Sequence, residues 1–155
     1  MTEGTAMSIV HRARTSRGLV IGGRIVGAAL IGWSAVIHLE LWSEGYRHIA
    51  TIGVLFLLQV ISGGILALAL LAAPTRFLAS VSALGALFMI GSLGALVVSL
   101  TVGLFGFTES PDTEEVTTAI AVESAGFVVL LLLTGMLVGA ASRARPGITS
   151  LSHTE

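Results

Sequence analysis

Four long apolar stretches divide the chain, at about 19–42, 49–73, 77–107 and 116–141, and short polar segments separate them. A hydrocarbon core of about 30 Å needs about 20 helical residues at 1.5 Å each, and every stretch meets that length. None alternates polar and apolar residues with the period of two that a barrel strand requires. Helices are then the way left to satisfy the backbone in lipid. The pattern therefore predicts an all-α, polytopic membrane protein, a four-transmembrane-helix bundle over 16–144 between flexible tails at 1–15 and 145–155.

The links refine this picture. Ala73-Pro74-Thr75-Arg76 is a tight connection, which predicts that the second and third helices are antiparallel neighbours. The third stretch is too long: 77–107 would make about 46 Å of helix. A break is expected near Gly103 or Gly106, with 104–107 lying at an interface. Glu114 and Glu115 suit the N-terminus of the fourth helix.

Charge sets the expected orientation. Arg12, Arg14, Arg17, Arg76, Arg143 and Arg145 fall on one side of a four-span chain, and Arg47 stands on the other beside Glu40, Glu44, Glu109, Asp112, Glu114 and Glu115. By the positive-inside rule both termini are cytoplasmic and the acidic loops face out of the cell, in a cytoplasmic (inner) membrane. Arg12, Arg14 and Arg17 before an apolar run also resemble a signal peptide. Arg24 interrupts that run, so the segment reads as an uncleaved first helix.

Composition agrees. Hydrophobic residues make up 54% of the 155 and charged residues 11%, against about 25% charged in soluble domains. That balance excludes a soluble enzyme, a nucleic-acid binder and a disordered segment. The chain has no cysteine, which removes disulfides, thiol nucleophiles and thiolate-held clusters. No nucleotide, HExxH, Ser–His–Asp or EF-hand pattern is present, so the chain reads more as a non-enzyme than as an enzyme.

In lipid, helices associate through close packing of small residues. Gly23 and Gly27, Gly91 and Ala95, and Gly135 and Gly139 stand four apart. Each pair predicts either packing inside the bundle or a face for another membrane protein or a second copy. Leucine-rich runs at 66–71 and 128–133 are expected to meet lipid. Trp42 and Tyr46 suit an interfacial aromatic belt, and Trp33 a place within the bundle.

Polar groups inside the apolar stretches carry the candidate chemistry. Arg24 lies near the start of the first span and is expected to snorkel to the headgroups. Glu123 is about 10 Å into the fourth span, and Gln59 about 15 Å into the second. His38 stands near the outer end of the first. All three belong to the outer half, where they could converge on one pocket that binds a proton, an ion or a small ligand, with Ser62 and Ser124 nearby. A carboxylate at such depth is a functional hypothesis by default. The alternative is a structural hydrogen bond from Glu123 to Gln59 or His38. Glu40, Glu44 and His48 would share one face if the first helix continued, a weak divalent-cation pattern. No cofactor is expected from a motif. A quinone or haem near His38 is a further reading, weakened for haem because His38 and His48, the two candidate ligands, both lie at the outer boundary.

His38-Leu-Glu-Leu-Trp42 followed by Gly45-Tyr-Arg-His-Ile-Ala-Thr-Ile-Gly-Val-Leu-Phe-Leu-Leu-Gln59 resembles a segment of small actinobacterial four-span membrane proteins of unassigned function. The resemblance implies a polytopic inner-membrane protein and carries no functional residue. The leading expectation is thus an accessory or interaction subunit of a membrane complex, with the outer-half pocket as its rival.

Overall fold

A computed structural model describes the backbone of residues 3–143 and the side chains of residues 17–143. Within these bounds the chain is all-helical. Helix α1 runs Glu3–Glu44, α2 Ala50–Ala72, α3 Thr75–Thr101 and α4 Glu114–Arg143, with one 3-10 turn at Tyr46–His48. Arg17–Glu44 of α1 and the whole of α2, α3 and α4 are each long and apolar enough to cross a membrane. The tail at 145–155, with Arg145, and the side chains of Arg12 and Arg14 lie outside the described residues.

The outward faces are as apolar as the core. Leu68 is 69% exposed and Leu132 63%, a distribution that suits helices surrounded by hydrocarbon rather than by water. The leucine-rich runs split between both environments: Leu70, Leu130 and Leu133 are buried while Leu68, Leu71, Leu131 and Leu132 face out. A helix turns a contiguous run to every side, so the run could not be all lipid-facing. Trp33, expected inside the bundle, is 56% exposed.

Helix α1 packs against α2 and α4, and α3 packs against α4. Joined by a short link, α2 and α3 nonetheless touch far less than those pairs do. The main core gathers Ala28, Ile31, Leu70, Leu78, Ala86, Met89 and Leu130 from all four helices. Close approach is permitted by Gly27, where a Cβ would stand 2.7 Å from Leu130 Cδ2 and 3.2 Å from Leu70 Cδ2, and by Gly23, which lies against Leu133. Gly23 and Gly27 therefore serve packing within the bundle.

The link between α2 and α3 has its own chemistry. A helix leaves its last carbonyls without partners. Leu70 would receive the N–H of residue 74, but Pro74 has none. Arg24 supplies the missing donors: Nε donates to Leu70 O at 2.6 Å, and Nη2 donates to Ala73 O at 2.8 Å and to Leu71 O. Arg24 is thus the C-terminal cap of α2, a more specific role than reaching for headgroups.

The third helix ends at Thr101, two residues before Gly103, and the chain reverses over Gly103 at φ +83° and Gly106 at φ +80°. Leu104 and Phe107 exchange backbone hydrogen bonds of 2.7 and 2.9 Å across this turn. The N–H of Glu109 then donates to Ser99 O at 3.1 Å, tying the loop down. Helix α4 starts where the Thr113 hydroxyl accepts the Val116 N–H at 3.3 Å, an N-cap reinforced by Glu114 and Glu115 in the first turn.

Candidate functional site

Counting from the helix ends locates a polar layer. Gln59 is nine residues into α2 from Ala50, Glu123 nine into α4 from Glu114, and Ser92 nine back from Thr101 in α3. Ser34 is ten back from Glu44 in α1. At 1.5 Å per residue, all four lie about 14 Å beneath one end of the bundle. That end carries Glu40, Glu44, Glu109, Asp112, Glu114 and Glu115 and is the acidic end below.

Glu123 is the centre of this layer and is 1% exposed. Its Oε1 accepts the hydroxyls of Ser34 at 3.0 Å and Ser92 at 2.6 Å. Its Oε2 is buried with no hydrogen-bond partner, and so is Gln59 Nε2. Most buried polar atoms in proteins are satisfied, and leaving one unsatisfied costs about 1–3 kcal/mol. With Oε1 engaged twice, Oε2 is the carboxyl oxygen left without a partner.

His38 stands one turn above Ser34 on α1. Its Nδ1 lies 2.8 Å from the Ser34 carbonyl. A carbonyl only accepts, so Nδ1 carries the hydrogen and the neutral ring keeps Nε2 as an acceptor. The ring meets the edge of Phe56 at 5.1 Å.

These groups surround one cavity of about 360 Å³, within the range of small-molecule sites. His38, Gln59 and Glu123 all line it. Apolar residues of α2, α3 and α4 form the remaining walls, among them Leu55, Phe88, Leu96 and Ala119. Gly91 and Ala95 also line it, and a Cβ at Gly91 would meet nothing within 4 Å. This small-residue pair makes space rather than helix contact. Gly135 likewise has open space beside it, and Gly139 has only the Arg143 guanidinium within reach, so that pair is not used to join the described helices.

The acidic end closes over the cavity through Tyr46. Its hydroxyl hydrogen is shared between the two oxygens of Glu109, at 2.8 and 2.9 Å. Its ring stacks on Phe56 at 4.9 Å and meets Phe107 edge-on at 5.5 Å. Burial above all pushes the phenol's pKa up, and the hydrogen bond and charge of Glu109, then Glu115 and Glu44, push the same way. The turn that bears Tyr46 sits directly on Gly53, where a Cβ would come 2.8 Å from Tyr46 O and from Arg47 Cα.

Three sequence expectations meet a different geometry. Helix α1 ends at Glu44 and Gly45 interrupts it, so His48 leaves the face of Glu40 and Glu44 and joins the 3-10 turn. Among the described residues no three His, Asp or Glu side chains gather as a metal-binding set. His48 instead accepts a hydrogen bond from Arg47 Nε at 3.1 Å and does not line the cavity. The cavity thus presents one histidine, which does not fit a bis-histidine haem. Finally, Glu123 pairs with Ser34 and Ser92, not with His38 or Gln59, and neither Ser62 nor Ser124 lines the cavity. The counts to Ser92 and Glu123 become equal only once α3 is seen to end at Thr101, so the expected span ends hid Ser92.

No protein-family model, no curated protein and no solved structure matches the chain.

Proposed function

We propose that the chain is a multi-pass protein of the cytoplasmic membrane, with both termini cytoplasmic, that binds a small molecule in the cavity beneath its acidic end. One observation carries this reading: Glu123 and Gln59, on different helices, both line one cavity large enough for a ligand, and each keeps a buried polar atom without a partner, Oε2 and Nε2. The arginine asymmetry supports placing the acidic end outside the cell. The test is co-purification: a small molecule retained by the parent chain extracted with its lipids is lost from Gly91→Trp, which places a large side chain at the mouth of the cavity.

A second reading, an accessory subunit of a membrane complex, is favoured by Gly135 and Gly139. These small residues on α4 contact no other described helix and would admit a helix from a partner or a second copy. The two readings are compatible, because the cavity and this strip involve different residues.

A further inference from the structure

The wall formed by α3 is continuous with the outside of the bundle. Leu87, Gly91 and Ala95 line the cavity at i, i+4 and i+8, yet Leu87 is 66% exposed and the other two are also exposed. Lining residues that are exposed form the rim of an opening. It lies where α3 and α2 make little contact. Ala95 is six residues from Thr101 and Leu87 is fourteen, so the opening runs from about 9 to about 21 Å beneath the end of α3. With these helices spanning a bilayer, that depth is hydrocarbon. A ligand using this route is dissolved in the bilayer.

Charge selects its head. Glu109, Glu115 and Glu123 line the cavity, and no arginine or lysine does. Arg47, the arginine at this end, is engaged by His48 and lies 6.0 Å from the Trp42 ring. A carboxylate deep in an apolar surround is costly unless a cation or hydrogen-bond donor meets it. Glu123 Oε2 is that unmet acceptor, and His38 Nε2 is a second acceptor on the lining. The rings of Tyr46, Phe56 and Phe107 offer π faces and edges around the same space, surroundings that favour an organic cation.

We infer that the cavity takes a lipophilic primary amine, which passes sideways from the bilayer between α2 and α3 and sets its ammonium group against Glu123. This rests on the small-molecule reading above and narrows it to one chemical class. The tail occupies the opening along Leu87, Gly91 and Ala95. The ammonium is met by the Glu123 carboxyl, which Ser34 and Ser92 hold in place through Oε1.

The test uses the full chain in phosphatidylcholine nanodiscs, with decylamine, decanol and propylamine as probes and the ligand-dependent shift in melting midpoint as readout. Decylamine is expected to bind at least about tenfold more tightly than decanol, a gap of about 1.4 kcal/mol, and propylamine not to bind. Glu123→Gln keeps an oxygen for Ser34 and Ser92 and is expected to erase the preference for amine while leaving decanol binding intact. Glu115→Gln, on the lining at the acidic end, is expected to weaken decylamine alone by about twofold and covers the case that the Glu123 variant fails to fold. Equal binding of decanol and decylamine, or an undiminished preference in both variants, overturns the amine assignment while the small-molecule reading stands. If none of the probes binds the parent, and no small molecule co-purifies with it, both fall. Tight binding of propylamine overturns the sideways route.

Discussion

Replacing Arg24 by methionine keeps an unbranched side chain of similar helix propensity but removes the donors that cap α2. Two of its hydrogen bonds, to Leu70 O at 2.6 Å and Ala73 O at 2.8 Å, are partly buried, and the third, to Leu71 O, is exposed. Hydrogen bonds from a charged donor contribute about 1.5–3 kcal/mol each. The exposed one is discounted for solvent screening, and the other two share a single guanidinium, so they do not add in full. The expected loss is about 2–4 kcal/mol. It is not recovered by relaxation, because Pro74 has no N–H to return to Leu70 O. Arg24→Lys separates capping from a mere positive charge: a single ammonium cannot reproduce the fork, so less than half of the loss should be restored. The assay is the unfolding midpoint of purified protein in mild detergent, followed by helical circular dichroism. A methionine variant within about 0.5 kcal/mol of the parent, or a lysine variant equal to it, would refute the capping argument.

Tyr46 is the single tyrosine, so the ultraviolet absorbance of phenolate reports it alone. Its titration midpoint should lie above the usual value of about 10, and Glu109→Gln should bring it down by removing a neighbouring charge. The sign for stability follows: a raised folded value contributes fully below about pH 10 and is lost as pH rises through that higher value. A midpoint at the ordinary value would show that the phenol is not held by Glu109. For the small residues, Gly27→Ala should cost about 1–3 kcal/mol by crowding Leu130 and Leu70. Gly135→Ala, with nothing within 4 Å, should stabilise the isolated chain by about 0.5–1 kcal/mol. Parallel melting curves check both, and equal effects would mean that the two glycines do not differ in surroundings.

The spans were legible because length and continuous apolarity determine them, and observed ends fall within three residues of expectation except at Thr101 and at the start of α1, which begins at Glu3, within the segment expected as a flexible tail. The depths of Gln59 and Glu123 were legible for the same reason, since depth is only a count along a helix. Which side each residue faces was not. That depends on helix rotation and neighbour order, so the sequence could not choose Ser34 and Ser92 over Ser62 and Ser124, nor turn Trp33 outward. The pair Gly91 and Ala95 shows the limit most clearly. Small residues four apart have one sequence signature whether a helix fills the space beside them, as at Gly27, or a cavity does. Arg24 was read by its charge alone, because its role depends on the end of another helix and on the donor missing at Pro74.

The central claim is that the space between Glu123, Gln59 and Gly91 holds a small molecule. The most direct measurement is native mass spectrometry of the chain extracted with its surrounding lipid, run for the parent, Gly91→Trp and Gly135→Trp. The account predicts an adduct of one reproducible mass on the parent and on Gly135→Trp, and none on Gly91→Trp. An adduct that survives at Gly91→Trp, or a parent that flies bare under conditions gentle enough to keep lipids bound, would contradict it.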